Sequence, residues 1–235
     1  MIRAIIFDCD GTLIDTRDKI VPFYNHVFGE LGLPLIDVTD RAVVDLCQSL
    51  ADQDVFATLL PAESRAAVFD YIASLDPADL LAAIDTEPYA LETLDELRAD
   101  YPLAIATNRG GDMAHIMRHF ALDDRIEVVV TAADVARAKP DPDMLLLAAE
   151  RLGVPPADTL YVGDTGVDRE AASAAGMHFL LYERPCDGAG DAEPQDGAGD
   201  VIGDLREIPR RLNLTAGRST RTERPAPGVR GAGVR

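Results

Sequence analysis

Short apolar runs recur along the chain, and each ends in a cluster of polar groups. Residues 2–7, 103–107, 126–131, 159–162 and 178–182 have the length and the near-continuous hydrophobicity of strands buried on both faces. Between them the apolar positions switch to helical spacing, as at Leu91, Leu94, Leu97 and Tyr101. Strand and helix in alternation predict an α/β fold, a parallel sheet covered on both sides. Asp141 is placed to cap a helix with Pro142 in its first turn and Gly153 past its end, and Thr165 or Asp164 to open another that Gly176 closes. From about 16 to 86 the alternation stops. Helical patterns at 21–31, 42–50, 62–75 and 77–84, with no convincing strand, predict an inserted all-helical cap over 17–86, the core taking 1–16 and 87–212.

Composition adds a soluble, acidic character. The 235 residues are 47% hydrophobic and 27% charged, enough for a real core, with a formal charge of −19. Lys19 and Lys139 are the only lysines. Such a surface suits a salt-rich cytoplasm and predicts a halophilic source; an acidic protein from a GC-rich genome that favours Arg codons is the alternative. Nucleic acid and anionic membranes are repelled by it, and no apolar run has the length of a bilayer span. Cys9, Cys47 and Cys186 are odd in number and widely spaced, as expected of reduced thiols in the cytoplasm. Residues 185–200, rich in Gly, Asp and Ala, read as a flexible acidic loop before a last helix at 204–212. The segment 213–235 reads as a disordered basic tail, with five arginines and one acid from Arg218 onward.

The chemistry collects where the apolar runs end. Asp8 and Asp10 flank Cys9 at the end of the first run, and a period of two puts both carboxylates on one side, one to attack phosphorus and one to give the leaving oxygen its proton. Thr107, Asn108 and Arg109 end the second run and offer donors to phosphate oxygens. Lys139, in a chain almost empty of lysine, falls between a strand and a helix, where an ammonium can neutralise a phosphoryl oxygen or the nucleophile. Asp164 ends the fourth run and Asp168 follows one helical turn later. Four carboxylates so gathered would repel one another if bare, which implies a divalent cation, and hard oxygen ligands point to Mg²⁺. His115 and His119 have zinc-helix spacing without the accompanying Glu, and are expected on a helix surface. Asn25, His26 and Arg41 are candidates to face the site from the cap.

With Asp8-Cys9-Asp10-Gly11-Thr12, Thr107-Asn108-Arg109, Lys139-Pro140 and Gly163-Asp164 in this order, the chain resembles the haloacid dehalogenase-like superfamily, in particular its phosphoglycolate-phosphatase-like members with a helical cap. The resemblance implies a Rossmann-like core and Mg²⁺-dependent hydrolysis of a small phosphate ester through an aspartyl-phosphate. It makes Asp8 the nucleophile and a metal ligand, and Asp10 the general acid and base with its carbonyl on the metal. Thr107 and Lys139 would bind the phosphoryl group, Asp164 the metal, and Asp168 would support the metal site or Lys139. A phosphomutase, or a non-catalytic phosphoaspartyl receiver or Mg²⁺-binding protein, is the rival reading. A monomer or homodimer is expected.

Overall fold

The computed structural model describes residues 1–76, 78, 81–82, 84–110, 113–184 and 200–215. Five strands stand where the apolar runs predict them: β1 (Ala4–Phe7), β2 (Leu103–Thr107), β3 (Val128–Thr131), β4 (Thr159–Gly163) and β5 (His178–Tyr182). A two-residue strand, β6 (Val201–Ile202), is added at one edge. Every pairing is parallel, and the order is β3-β2-β1-β4-β5-β6. Such an order reverses direction between β1 and β4, and that switch point opens a crevice at the carboxyl ends of the two strands.

Alternation sorts side chains to the two faces. Ile5, Phe7, Leu103, Ile105, Leu160 and Val162 share one buried cluster with residues of helices α5 (Ala90–Leu97), α6 (Met113–His119) and α9 (Glu207–Thr215). On the opposite face Ile6, Ala104, Ala106, Val130 and Tyr161 pack with Met144, Leu145 and Ala148 of α7 (Asp143–Leu152) and Ala171, Ala172 and Ala175 of α8 (Gly166–Ala175). The small alanines let α8 lie close to the sheet, while each large side chain withdrawn from water contributes on the order of 1.5–3 kcal/mol.

After β1 the chain leaves the sheet to form α1 (Ile20–Glu30), α2 (Arg41–Ser49), α3 (Asp52–Leu59) and α4 (Ala62–Ser74). These four helices have a separate core around Tyr24, Phe28, Val55, Phe56 and Val68. The outgoing and returning segments are joined: Ile14 bridges Thr86, the Asp15 amide donates to Asp85 O at 2.8 Å, and the Glu87 amide to Leu13 O at 2.9 Å.

Several local expectations change. Asp141 does not cap α7, which begins at Asp143 after Pro142; the Asp141 carboxylate instead pairs with Arg137 at 2.8 Å. Helix α3 falls between two predicted helices, in an acidic stretch where little but Val55 and Phe56 is buried. Part of the helix expected over 77–84 lies outside the described residues, as do 185–199, Cys186 and 216–235. Helix α9 runs to Thr215, three residues into the segment expected to be tail. Gly153 and Gly176 close α7 and α8 with φ of 68° and 70°, as their positions predict. His115 and His119 lie exposed on α6. Among the described residues no helix is long and apolar enough to cross a membrane.

Candidate active site

Asp8 follows β1 directly, its amide still donating to Val162 O of β4 at 2.8 Å, so its carboxylate stands at the switch point. Asp164 follows β4 on the other side. The turn after Asp8 passes so close that a Cβ on Gly11 would lie 2.2 Å from Asp164 Oδ2, and Gly11 has φ of 71°. Only glycine fits there without displacing that carboxylate. Gly163 has a similar constraint, since its Cβ would fall 2.5 Å from Asp168 Cγ.

Lys139 draws the cluster together. Its buried Nζ donates to Asp8 Oδ1 at 2.9 Å, Asp168 Oδ1 at 2.7 Å and the Tyr161 hydroxyl at 2.8 Å, which uses all three of its donors. Asn108 holds the main chain of Lys139 as a neighbouring strand would: its Oδ1 accepts from the Lys139 amide at 2.9 Å and its Nδ2 donates to Lys139 O at 3.0 Å. The same Nδ2 reaches Ser49 O at the end of α2, at 3.1 Å. Thr107 Oγ1 accepts from the Arg109 amide at 3.1 Å.

The two acids of the first motif have different surroundings. Asp8 Oδ1 also accepts from the Cys9 amide at 2.7 Å. Asp10 faces Arg109, whose Nε donates to Oδ2 at 2.9 Å and Nη2 to Oδ1 at 2.5 Å. Electrostatics separates them further. Burial pushes the Asp8 carboxyl up to about 7, against the pull of Lys139 and with help from Asp168 and Asp10. Burial also acts on Asp10, but the Arg109 guanidinium outweighs it and holds the carboxyl below its usual range.

Three carboxylates, Asp8, Asp164 and Asp168, offer oxygens that all lie within 4.8 Å of one another. One ammonium cannot balance three, and the imbalance falls on Asp164. It accepts from Thr12 Oγ1 at 3.2 Å and makes no ion pair among the described residues. Burial, Asp8 and Asp168 together push its carboxyl well above the ordinary range. Asp168 has the opposite character. Its Oδ1 accepts from Lys139 and from the Tyr161 hydroxyl at 2.8 Å, and its Oδ2 from the Thr165 amide at 3.0 Å and Thr165 Oγ1 at 2.6 Å. These four bonds occupy the carboxylate's four acceptor positions. Burial opposes the charge of Asp168, but Lys139 and these hydrogen bonds hold its carboxyl below the usual value. An oxygen-only donor set with excess negative charge around Asp8 and Asp164 fits a hard divalent cation.

A family model described as haloacid dehalogenase-like hydrolase matches residues 5–182, from β1 through β5. The chain belongs to that family. It is similar to a phosphoglycolate phosphatase of Nitrosospira multiformis, with 31% identity over 79% of this chain and 90% of that protein. It is also similar to an N-acetylmuramic acid 6-phosphate phosphatase of Pseudomonas putida, with 30% identity over 86% of this chain and 92% of the other. Among solved structures, a haloacid dehalogenase-superfamily hydrolase of subfamily IA from Geobacter sulfurreducens superposes with a TM-score of 0.66 at 29% identity, covering 90% of this chain and 96% of that one. The fold expected from the motifs, a Rossmann-like α/β core, is the fold observed.

All eight residues singled out in the sequence lie on the segments that converge at this end of the sheet, but in two groups. Asp8, Lys139, Asp164 and Asp168 form one cluster, with Asn108 behind it, while Asp10 and Arg109 pair with each other and Thr107 bonds the Arg109 amide. Sequence reasoning missed Tyr161, whose hydroxyl bonds Asp168 and, at 3.2 Å, Ala106 O. Its signal was weak, a single hydroxyl in an otherwise apolar run. Of the cap candidates, Asn25 is spent on the main chain of Ile36 at 3.1 and 2.7 Å, and His26 and Arg41 lie exposed.

Proposed function

We propose that the chain is a Mg²⁺-dependent phosphatase that hydrolyses a small phosphate ester of an organic acid through an aspartyl-phosphate on Asp8. The observation that carries this reading is the gathering of Asp8, Asp164 and Asp168 at the switch point, with Lys139 paired to Asp8 and Asp168. The named relatives act on phosphoglycolate and on N-acetylmuramic acid 6-phosphate, and support a phosphoric monoester hydrolase with an acid-bearing substrate.

The residues divide the work. One oxygen of Asp8 is held by Lys139 and the Cys9 amide, and the other has no hydrogen bond among the described residues. Asp8 attacks phosphorus, the bond from phosphorus to the leaving oxygen breaks, and Asp10, ionised in the free protein and protonated in the substrate complex, gives that oxygen its proton. Water then attacks the acyl phosphate and gives its proton to Asp10, and inorganic phosphate leaves with Asp8 restored as carboxylate. Lys139 neutralises the transferring oxygens, and Thr107 offers its hydroxyl to them. Asp8, Asp164 and the Asp10 carbonyl would hold Mg²⁺, which supplies positive charge to the phosphoryl group. Asp168, its acceptor positions filled, keeps Lys139 in place instead of ligating the ion.

Phosphate release from 4-nitrophenyl phosphate and 2-phosphoglycolate, with Mg²⁺ and with chelator, tests the reading. Turnover in Mg²⁺ that disappears with chelator is the expected result. Absence of release from both esters overturns it, and an isomerised sugar phosphate with little free phosphate would establish the phosphomutase instead.

A further inference from the structure

Arg109 is the cation the proposed chemistry leaves without a task, and its position is suggestive. Lys139 is spent on Asp8, Asp168 and Tyr161, with its side chain 2% exposed. Arg109 and Asp10 are each 24% exposed and so lie within reach of an incoming molecule. Asn108, the residue before Arg109, bonds Ser49 O of α2, which places the pair where the sheet meets the helical insertion. On the insertion side, Asp52 of α3 accepts from the Tyr24 hydroxyl at 2.6 Å and is near enough for its charge to act on Arg109. The proposed reaction brings the leaving oxygen to Asp10, and so beside the guanidinium that Asp10 holds.

The fork geometry carries the argument. Both oxygens of Asp10 accept from the one guanidinium. Held by both oxygens, the carboxylate keeps one acceptor position on each but is fixed against turning toward a leaving group, and the proposed reaction needs Asp10 at that atom. The guanidinium has to be drawn off, and what suits its fork is another carboxylate.

We propose that Arg109 is a specificity-determining residue that exchanges the Asp10 carboxylate for a carboxylate on the substrate's leaving alcohol, freeing Asp10 to serve the leaving oxygen. The inference rests on the phosphatase reading above. An ester with a neutral alcohol offers Arg109 nothing, so Asp10 stays clamped and the chemical step slows. Binding energy from a remote part of the substrate is thereby expressed in the rate. The cost to a neutral ester is the loss of acid assistance, ~10²–10⁴-fold.

The test compares 2-phosphoglycolate with 2-hydroxyethyl phosphate, which has a neutral hydroxymethyl group in place of the carboxylate. In the unaltered enzyme kcat/KM favours the acid by at least ~10²-fold, with much of the deficit of the neutral ester in kcat. Arg109→Gln lowers turnover of 2-phosphoglycolate far more than that of 2-hydroxyethyl phosphate, so the ratio collapses; Arg109→Lys, charged but without the fork, falls between. Equal turnover of the two esters by the unaltered enzyme overturns the inference and needs no variant. An undiminished ratio in Arg109→Gln, or an equal loss on both esters, overturns it as well, the latter making Arg109 only a support for Asp10. Hydrolysis of 4-nitrophenyl phosphate, whose leaving group needs little acid assistance, persists if the inference fails alone and is absent if the phosphatase reading fails.

Discussion

Two ionic clusters among the described residues, each built on a buried carboxylate, differ in their charge balance. At the switch point three carboxylates face one ammonium. Where the chain crosses between sheet and helices, Glu87 accepts from Arg17 at 2.6 Å and from the Tyr182 hydroxyl at 2.9 Å, while Arg184 reaches Asp15 at 2.6 Å and Glu87 at 3.6 Å. Arg17 also lies over the Tyr182 ring, 5.6 Å from its centroid. The second cluster has two cations for two carboxylates and closes on itself; the first is short of positive charge. A balanced buried cluster serves the fold, because removing one member strands the others. An unbalanced one is held in place by the surrounding structure and gains when a cation or an anionic substrate's counterion arrives.

The largest expected effect separates the clusters by activity. On the proposed mechanism Asp8→Asn should lower phosphate release at least ~10³-fold, since Asp8 is the group assigned the covalent bond. It removes one of three mutually repelling carboxylates while keeping the shape, so the melting temperature in chelator should hold or rise. A pronounced fall in melting temperature would mean that the active-site cluster stabilises the fold as the other does, and the contrast would fail.

The next effect runs the other way. Glu87→Ala leaves Arg17, Arg184 and the Tyr182 hydroxyl without their shared acceptor, and breaking a buried pair typically costs about 3–5 kcal/mol. For a chain of this size that is a fall of roughly 10 °C in melting temperature, with little change in kcat of the enzyme that remains folded. Calorimetry beside steady-state kinetics checks it. Unchanged stability with lost turnover would move Glu87 from the fold to the chemistry.

The same contrast explains what could be read in the chain. Each strand of the active-site end is a buried apolar run, so Asp8, Thr107 and Asp164 could be placed at strand ends by counting. Lys139 stood out because lysine is so scarce. Glu87 could not stand out, since it is one of 41 acids and nothing local marks it as buried. Its partners Arg17 and Tyr182 lie 70 and 95 residues away, and only the folded chain brings them together. Arg109 shows the same limit at the site itself. A cation at a strand end reads as a phosphate binder, and its pairing with Asp10, 99 residues distant, depends on β1 and β2 being neighbours in the sheet. Short elements were lost for another reason: β6 has two residues, too few for a period to show.

The smallest effect is in pH, and it sharpens the comparison without any substitution. A carboxyl whose pKa rises on folding gives its full stabilising contribution below its unfolded value, near 3.9, and loses it as the pH climbs through the folded value. Asp8, pushed up to about 7, therefore makes the metal-free protein less stable between about pH 4 and 7, and Asp164, also raised, acts in the same direction. Asp168 and Asp10 are lowered and stay ionised across that window, so they add no slope there, and Lys139, raised by Asp168 and Asp8, remains charged throughout. The melting temperature in chelator should fall from pH 5 to pH 8. Mg²⁺ held as proposed would bind the deprotonated carboxylates, so its stabilisation, about 2.7 kcal/mol at a hundredfold excess over Kd, should grow with pH and flatten the decline. Glu87→Gln, which alters only the balanced cluster, should keep that Mg²⁺ increment, whereas Asp164→Asn should lose it. An increment that vanished in Glu87→Gln and survived in Asp164→Asn would assign the missing positive charge to the wrong cluster.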